Sequence, residues 1–286
     1  MGSFDVRNFF SLIPVSLAMG AVALGQTAPP APPPQLVKTA LANELRAAQD
    51  TSHPMRYRLR KSSPRLTTTK ELIETKGGTV AMLVAVNDKP PSTADSVKEQ
   101  SRLQGLLTDP GKQKHRKQAE ADDTARALKV LRVLPTAFIY SDAGPVTTPT
   151  GTAEKILFVP NPKFNPPDLE TQVLTAINGE LLIDPVQSRV ICLEGHLEQD
   201  VDFGWGILGR LNKGGWIKIE QAEVGEGVWR LVKFQMQMTG RVLFRTRTFD
   251  TTEEETNFTP VPPGLAYQQA ITMLRNATAT AGPAGH

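Results

Sequence analysis

The sequence predicts a mainly β, α+β chain. The expected form is a strongly curved antiparallel sheet, or open β-barrel, with an N-terminal helix and an inserted helical hairpin as a lid. Three observations predict it. Several segments alternate apolar and polar residues at a period of two, from Met55-Arg56-Tyr57-Arg58-Leu59-Arg60 to Val232-Lys233-Phe234-Gln235-Met236-Gln237-Met238. Turn signals such as Gly77-Gly78 and Asp184-Pro185 punctuate them. The longer helical patterns are confined to the stretch after residue 36, to residues 92–134 and to the C-terminal end.

The chain has 286 residues, 40% of them hydrophobic and 21% charged. That is too apolar for a disordered chain and too charged for a polytopic membrane protein. One cysteine, Cys192, excludes an intramolecular disulfide and a cysteine-based metal cluster. A net charge of +3 is too small to argue for nucleic acid as a partner.

Residues 1–25 read as a cleaved signal peptide. Arg7 is the only cation before the apolar stretch Phe9 to Leu24, and Ala23-Leu24-Gly25 offers small residues for cleavage. That stretch is shorter than the roughly 20 residues a membrane helix needs, and Pro14 interrupts it. No cysteine follows it, so lipid modification there is excluded. The expected location is periplasmic or secreted. Residues 26–35 carry Pro29, Pro30, Pro32, Pro33 and Pro34 and form a stiff tether. Residues 36–275 are expected to make one β domain with the helical insertion 92–134, and 276–286 a disordered tail.

Val37, Leu41, Leu45 and Ala48 share the face of a first helix. Strands follow at Met55 to Arg60 and Leu66 to Thr75, and a continuously apolar one at Thr79 to Val86. Residues 92–134 then read as two charged helices broken at Asp109-Pro110-Gly111, with Ala121, Ala125, Leu128 and Leu131 as a stripe and Pro135 as the stop. Arg116 with Glu120, and Asp122 with Arg126, stand at pairing distance along the helix. Short strands are expected at Ala137 to Ser141, Lys155 to Val159 and Glu180 to Ile183, with a short helix capped by Asp168 between them. Beyond Val190, Ile191, Leu193, Leu197, Val201 and Phe203 alternate with Glu194, His196, Glu198, Asp200 and Asp202. Strands at Trp216 to Gln221 and around Val228 to Phe244 come next, with Arg230 out of pattern. Leu265 to Leu274 makes a last helix.

Few residues suggest chemistry. Gly204-Trp205-Gly206-Ile207-Leu208-Gly209 matches G-x-G-x-x-G, but no convincing helix follows to hold a pyrophosphate, so it reads as a glycine-rich connection with Trp205, Ile207 and Leu208 at a lid or mouth. The strip Glu194 to Asp202 holds metal-type ligands. Same-face neighbours on a strand stand about 7 Å apart, too far for one ion. The run Lys112, Lys114, His115, Arg116, Lys117 can touch acidic headgroups, yet Glu120, Asp122 and Asp123 follow at once. No catalytic residue, metal site or cofactor is expected. The apolar β faces carry the functional expectation. Met82, Val84, Ile156, Phe158, Phe234, Met236, Met238 and Phe244 are expected to line one hollow, where flexible thioethers suit an acyl chain.

This order of signal segment, helix and antiparallel strands resembles the periplasmic lipoprotein-carrier superfamily, the LolA/LolB-like proteins. The segment Gly179-Glu180-Leu181-Leu182-Ile183-Asp184-Pro185 with Arg189-Val190-Ile191 is similar to that family's hairpin after the lid. The segments Asn161-Pro162-Lys163-Phe164-Asn165-Pro166-Pro167 and 203–209 also resemble uncharacterised exported proteins of acidobacterial type. The carrier resemblance, over about residues 36–260, implies an unclosed barrel with a lid and an apolar cavity, and a hydrophobic ligand or lipoprotein as partner. The insertion 92–134 departs from it. The expected function is therefore a non-enzymatic carrier for a lipid, acyl chain or lipoprotein, with peripheral contact to an envelope membrane. The alternative is a cell-envelope interaction module with a filled core.

Overall fold

A computed structural model of the chain describes residues 35–203, 209–242 and 245–280. Twelve strands and five α-helices lie among the described residues, so the mainly β, α+β expectation holds. Among them no helix is long and apolar enough to cross a membrane. The signal segment, and all but the last residue of the tether, lie outside them.

The contacts divide the chain into two compact units. The second takes Leu45–Leu128, Lys218–Met236 and residues from Asp250 onward. Its strands are β1 (Met55–Ser63), β2 (Leu66–Ile73), β3 (Val80–Val86) and parts of β10 (Trp216–Glu223), β11 (Trp229–Val242) and β12 (Arg245–Pro260). They pair in the order β3-β2-β1-β12-β11-β10, so β3 ends the path. The Gly77-Gly78 signal is a true turn. Gly78 stands at φ 114°, and Thr75 Oγ1 bonds Gly77 N (3.1 Å) and Gly78 O (2.6 Å).

The helices of this unit obey local signals. Ser92 caps α2 (Thr93–Thr108) by accepting from Asp95 N, and Asp109 ends it. Asp109 also accepts from Gly111 N (2.9 Å) and so starts α3 (Pro110–Ala137), where Pro110 needs no partner for its missing N–H. Helix α5 runs Tyr267–Thr280, past the expected end at Leu274 and into the segment expected to be a loose tail. Ile73, Val80 and Met82 pack with Leu103 and Leu106 of α2 and with Ile271 and Leu274 of α5 in one buried cluster.

Three expectations for the insertion change. Pro135 lies inside α3, whose end comes two residues later at Ala137; its ring fixes a helical φ, and one backbone hydrogen bond is given up in the last turn. Of the expected stripe only Leu128 is buried; Ala121 and Ala125 are exposed. Arg116 pairs with Glu120 at 3.5 Å as expected, but Arg126 bonds Asp123 instead of Asp122, which takes Gln118 Nε2 at 2.8 Å. On a helix three- and four-residue spacings are both in reach, and spacing alone does not choose between them.

The first unit takes residues up to Glu44, Lys129–Ile217 and Gln237–Phe249. Strands β4 (Phe138–Thr148), β5 (Gly151–Pro160), β6 (Ile177–Asp184) and β7 (Arg189–Leu197) pair in sequence order, and β4 ends the path. The short β8 (Val201–Phe203) pairs with β9 (Gly209–Leu211), which pairs with β11. Asp168 caps the short α4 (Leu169–Gln172) by accepting from Thr171 N, as expected. A register shift at Leu182/Ile183 sets Val190 opposite Ile183, so Val190 is buried in place of Ile191.

Helix α1 (Gln35–Ala47) buries Val37, Ala40 and Leu41. It is tied to the β6–β7 turn. Glu44 accepts from Arg189 Nε (2.8 Å), Arg189 Nη2 (2.9 Å) and Val190 N (3.0 Å), and Asn43 Nδ2 donates to Ser188 O (2.9 Å).

Candidate functional site

In the second unit, cross-strand contacts assign the faces of the sheet. Met82 stands opposite Glu71. Glu71 accepts from Arg58 Nε (2.7 Å) and Arg56 Nε (3.3 Å) of β1. Arg60, on the same side of β1 as Arg58, reaches Glu254 of β12 at 3.6 Å, and Lys233 of β11 reaches that same carboxylate at 3.6 Å. Met82, Glu71, Arg58, Arg60, Glu254 and Lys233 therefore share one face. Successive strand residues point to opposite sides, so Phe234 and Met236 belong to the other face.

The two faces differ in what they meet. Met82 is 3% exposed inside the cluster closed by α2 and α5, and Val84 packs against that cluster. The face of Phe234 keeps a polar and an apolar part. Leu59, Val232 and Phe234 are half-buried and Met236 is buried. Lys61, two residues beyond Leu59, sits 2.8 Å from the buried Glu253. Tyr57 stacks on Phe258 with ring centres 5.4 Å apart. Arg230, the residue out of pattern on β11, donates to His53 O at 2.7 Å and lies 3.8 Å from Glu74. Glu74 accepts from Met55 N at 2.9 Å, and burial pushes its carboxyl above the usual range.

In the first unit, Ile156 and Phe158 are 1% and 3% exposed. Phe158 lies 4.6 Å from the ring of Phe138, near Tyr140, whose hydroxyl donates to Leu134 O at 2.8 Å and is pushed up in pKa by burial. Gly179 lies opposite Phe158, and a Cβ there would stand 2.8 Å from Phe158 Cζ. Met238 is buried beside Gly215, where a Cβ would come within 3.0 Å of Met238 Cγ.

The expected common hollow is thus corrected at Met82 and Val84, which a helix-packed core takes up on the face opposite Phe234 and Met236. A strand buried on both sides is apolar on both, and its pattern does not say which side it shares with its neighbours. Phe244, and the expected mouth residues Trp205, Ile207 and Leu208, lie outside the described residues. Strand β9 begins at Gly209, so a strand follows the G-x-G-x-x-G motif where nucleotide binding needs a helix.

One recess was missed by sequence reasoning. A shallow groove of about 340 Å³ crosses the outer side of β5, β6 and β7, lined by Leu157, Val159, Asn178, Glu180, Glu194 and His196. Leu157 and Val159 are 41% and 47% exposed. The signal was weak: Ile156 to Val159 is apolar at consecutive positions, which puts apolar residues on both faces of the strand without saying whether the second is covered. His196 Nε2 stands 3.1 Å from Glu194 Oε1, and Lys155 pairs with Glu180. Asp200 and Asp202 turn to Arg210 (3.3 and 2.6 Å). Among the described residues no three side chains of metal-ligating type come together.

Comparison with known proteins adds little. No family model matches the chain, and no curated protein matches it. A solved structure that is similar is a domain from Vibrio parahaemolyticus, provisionally named an outer membrane lipoprotein-sorting protein domain. It is 10% identical, with a TM-score of 0.31, over 83% of this chain and 97% of that one. A likeness of that size carries no argument about this chain. Nothing among the comparisons bears on the acidobacterial resemblance.

Proposed function

We propose that the chain is a non-enzymatic binding protein for an apolar ligand, a lipid, an acyl chain or the acyl part of a lipoprotein, acting outside the cytoplasm. The observation that carries this reading is the face of the second unit opposite α2 and α5. Leu59, Val232 and Phe234 stay half-buried there beside the thioether of Met236, whereas on the other face Met82 is packed under α2 and α5 and Arg58, Arg60, Glu254 and Lys233 carry charge. Covering such a face with a ligand gains about 25 cal/mol per Å² of apolar surface removed from water, less the cost of association. Thioethers adjust to chains of different shape. The Lys61–Glu253 pair on the same face gives a ligand with a polar end something to meet. Ile156, Phe158 and Met238 of the first unit, together with Phe244, Trp205, Ile207 and Leu208, stay sequence-based candidates. Export rests on the reading of residues 1–25.

A second reading, an envelope interaction module with a filled core, is favoured by the packing of Met82 under α2 and α5 and of Phe158 against Phe138. Delipidated protein separates the two. Saturable uptake of a fluorescent fatty acid, abolished by Phe234→Glu, supports the carrier. No uptake, and no lipid in the protein as purified by mass spectrometry, supports the module.

A further inference from the structure

Strand β3 reads Val80-Ala81-Met82-Leu83-Val84-Ala85-Val86, without a charge or a proline, and it ends the strand path of its unit. An uncharged apolar edge strand offers unpaired backbone groups to any other strand and is a strong template for association. In an antiparallel ladder alternate residues turn their N–H and C=O away from the partner. On β3 and at its entry these are Thr79, Ala81 and Leu83.

Side chains from α2 and α3 occupy four of those six groups. Thr79 N donates to Glu120 Oε2 (2.9 Å) and Oε1 (3.1 Å), and Thr79 O accepts from Arg116 Nη2 (2.8 Å). Ala81 O accepts from Arg102 Nη2, and Leu83 N donates to Glu99 Oε1 (2.8 Å). Within each pair the charges also meet, Arg102 Nε to Glu99 Oε2 at 2.8 Å and Arg116 to Glu120 at 3.5 Å. A guanidinium donates where a neighbouring strand would offer an N–H, and a carboxylate accepts where it would offer a C=O.

We propose that the α2–α3 insertion is an edge guard, which keeps β3 from pairing with β3 of a second copy of this chain. A second copy is the occupant the strand itself specifies. β3 has no charged side chain to select a different sequence, and an antiparallel β3–β3 pair repeats the same contacts about a two-fold axis. Leu103 and Leu106 hold the guard in place from the buried side of the strand, so the polar contacts can be removed while the apolar ones stay.

The test uses the full chain with Glu99→Ala, Arg102→Ala, Arg116→Ala and Glu120→Ala combined, examined by sedimentation velocity over a concentration series. The wild type is expected to stay monomeric and the variant to associate, and adding Leu83→Lys to the variant is expected to restore the monomer. A folded variant that stays monomeric overturns the proposal. So does a wild type that already associates and is made monomeric by Leu83→Lys. If the combined variant does not fold, the single variants Glu99→Ala and Glu120→Ala are read by amide hydrogen exchange. Exchange is expected to rise roughly tenfold at Leu83 and at Thr79 respectively. Unchanged exchange at both amides overturns the guard.

Discussion

Met82 and Phe234 lie on opposite faces of the same antiparallel unit, linked across it by Glu71, Arg58, Arg60, Glu254 and Lys233 on the face that Met82 shares. Their substitutions should therefore separate stability from binding. Met82→Ala is expected to lower unfolding free energy by about 2–4 kcal/mol, the cost of a cavity in a filled core, and to leave ligand uptake intact. Phe234→Glu is expected to change stability little and to remove uptake. Denaturant titration and the fatty-acid assay together read both. Loss of uptake in a folded Met82→Ala protein would put the ligand on the Met82 face instead.

Glu44 and Arg189 are each nearly buried, with side chains 8% and 12% exposed, and Glu44 also holds Val190 N. Replacing Glu44 by Ala removes both bonds to the buried Arg189 guanidinium and the one to Val190 N. Such a break costs about 3–5 kcal/mol. The expected signs are a fall in the denaturant midpoint and fast amide exchange at Val190. Near wild-type stability would show that α1 is held by Val37, Ala40 and Leu41 alone.

Burial raises the pKa of Glu74 above its ordinary 4.5, against the pull of Met55 N and Arg230. The folded protein then holds this proton more tightly than the unfolded chain. Its contribution to stability is present below pH 4.5 and is lost as pH climbs through the raised value. Glu74→Gln keeps an oxygen for Met55 N and removes the titration. The melting temperature of the variant relative to the wild type is expected to rise between about pH 4 and pH 7. A constant difference across that range would contradict the assignment.

A Cβ on Gly179 would collide with the backbone carbonyl of Glu194 and come within 2.8 Å of Phe158. Backbone cannot swing aside as a flexible side chain does. Gly179→Ala is expected to destabilise by about 2 kcal/mol or more, well beyond the effect of a tolerated glycine replacement. Gly144→Ala is the control with open space around it, and its cost comes only from its φ of 82°. Thermal unfolding of both variants checks the contrast.

Much of the placement of strands along the chain was legible because the period of two survives in the sequence. Residues 55–60 and 232–238 alternate without interruption, and both are strands. The break at Asp109-Pro110 was legible because an aspartate cap followed by proline is a local device. The proline stop at Pro135 failed because helix ends depend on what the last turn packs against. The outer groove is not legible in the sequence, because the apolar run Ile156 to Val159 does not say which pair stays uncovered. The partner of Arg126 was missed because two acidic residues stood within its reach.

By itself the sequence determined which segments become strands and helices, since periodicity, caps and turn residues act over a few positions of the chain. Only tertiary structure decided that Met82 and Phe234 face apart, that Glu44 finds Arg189, and that Glu99, Arg102, Arg116 and Glu120 close the edge of β3. Those are relations between segments far apart in the chain. They depend on strand register and on which helix covers which side, and no local pattern of residues records either.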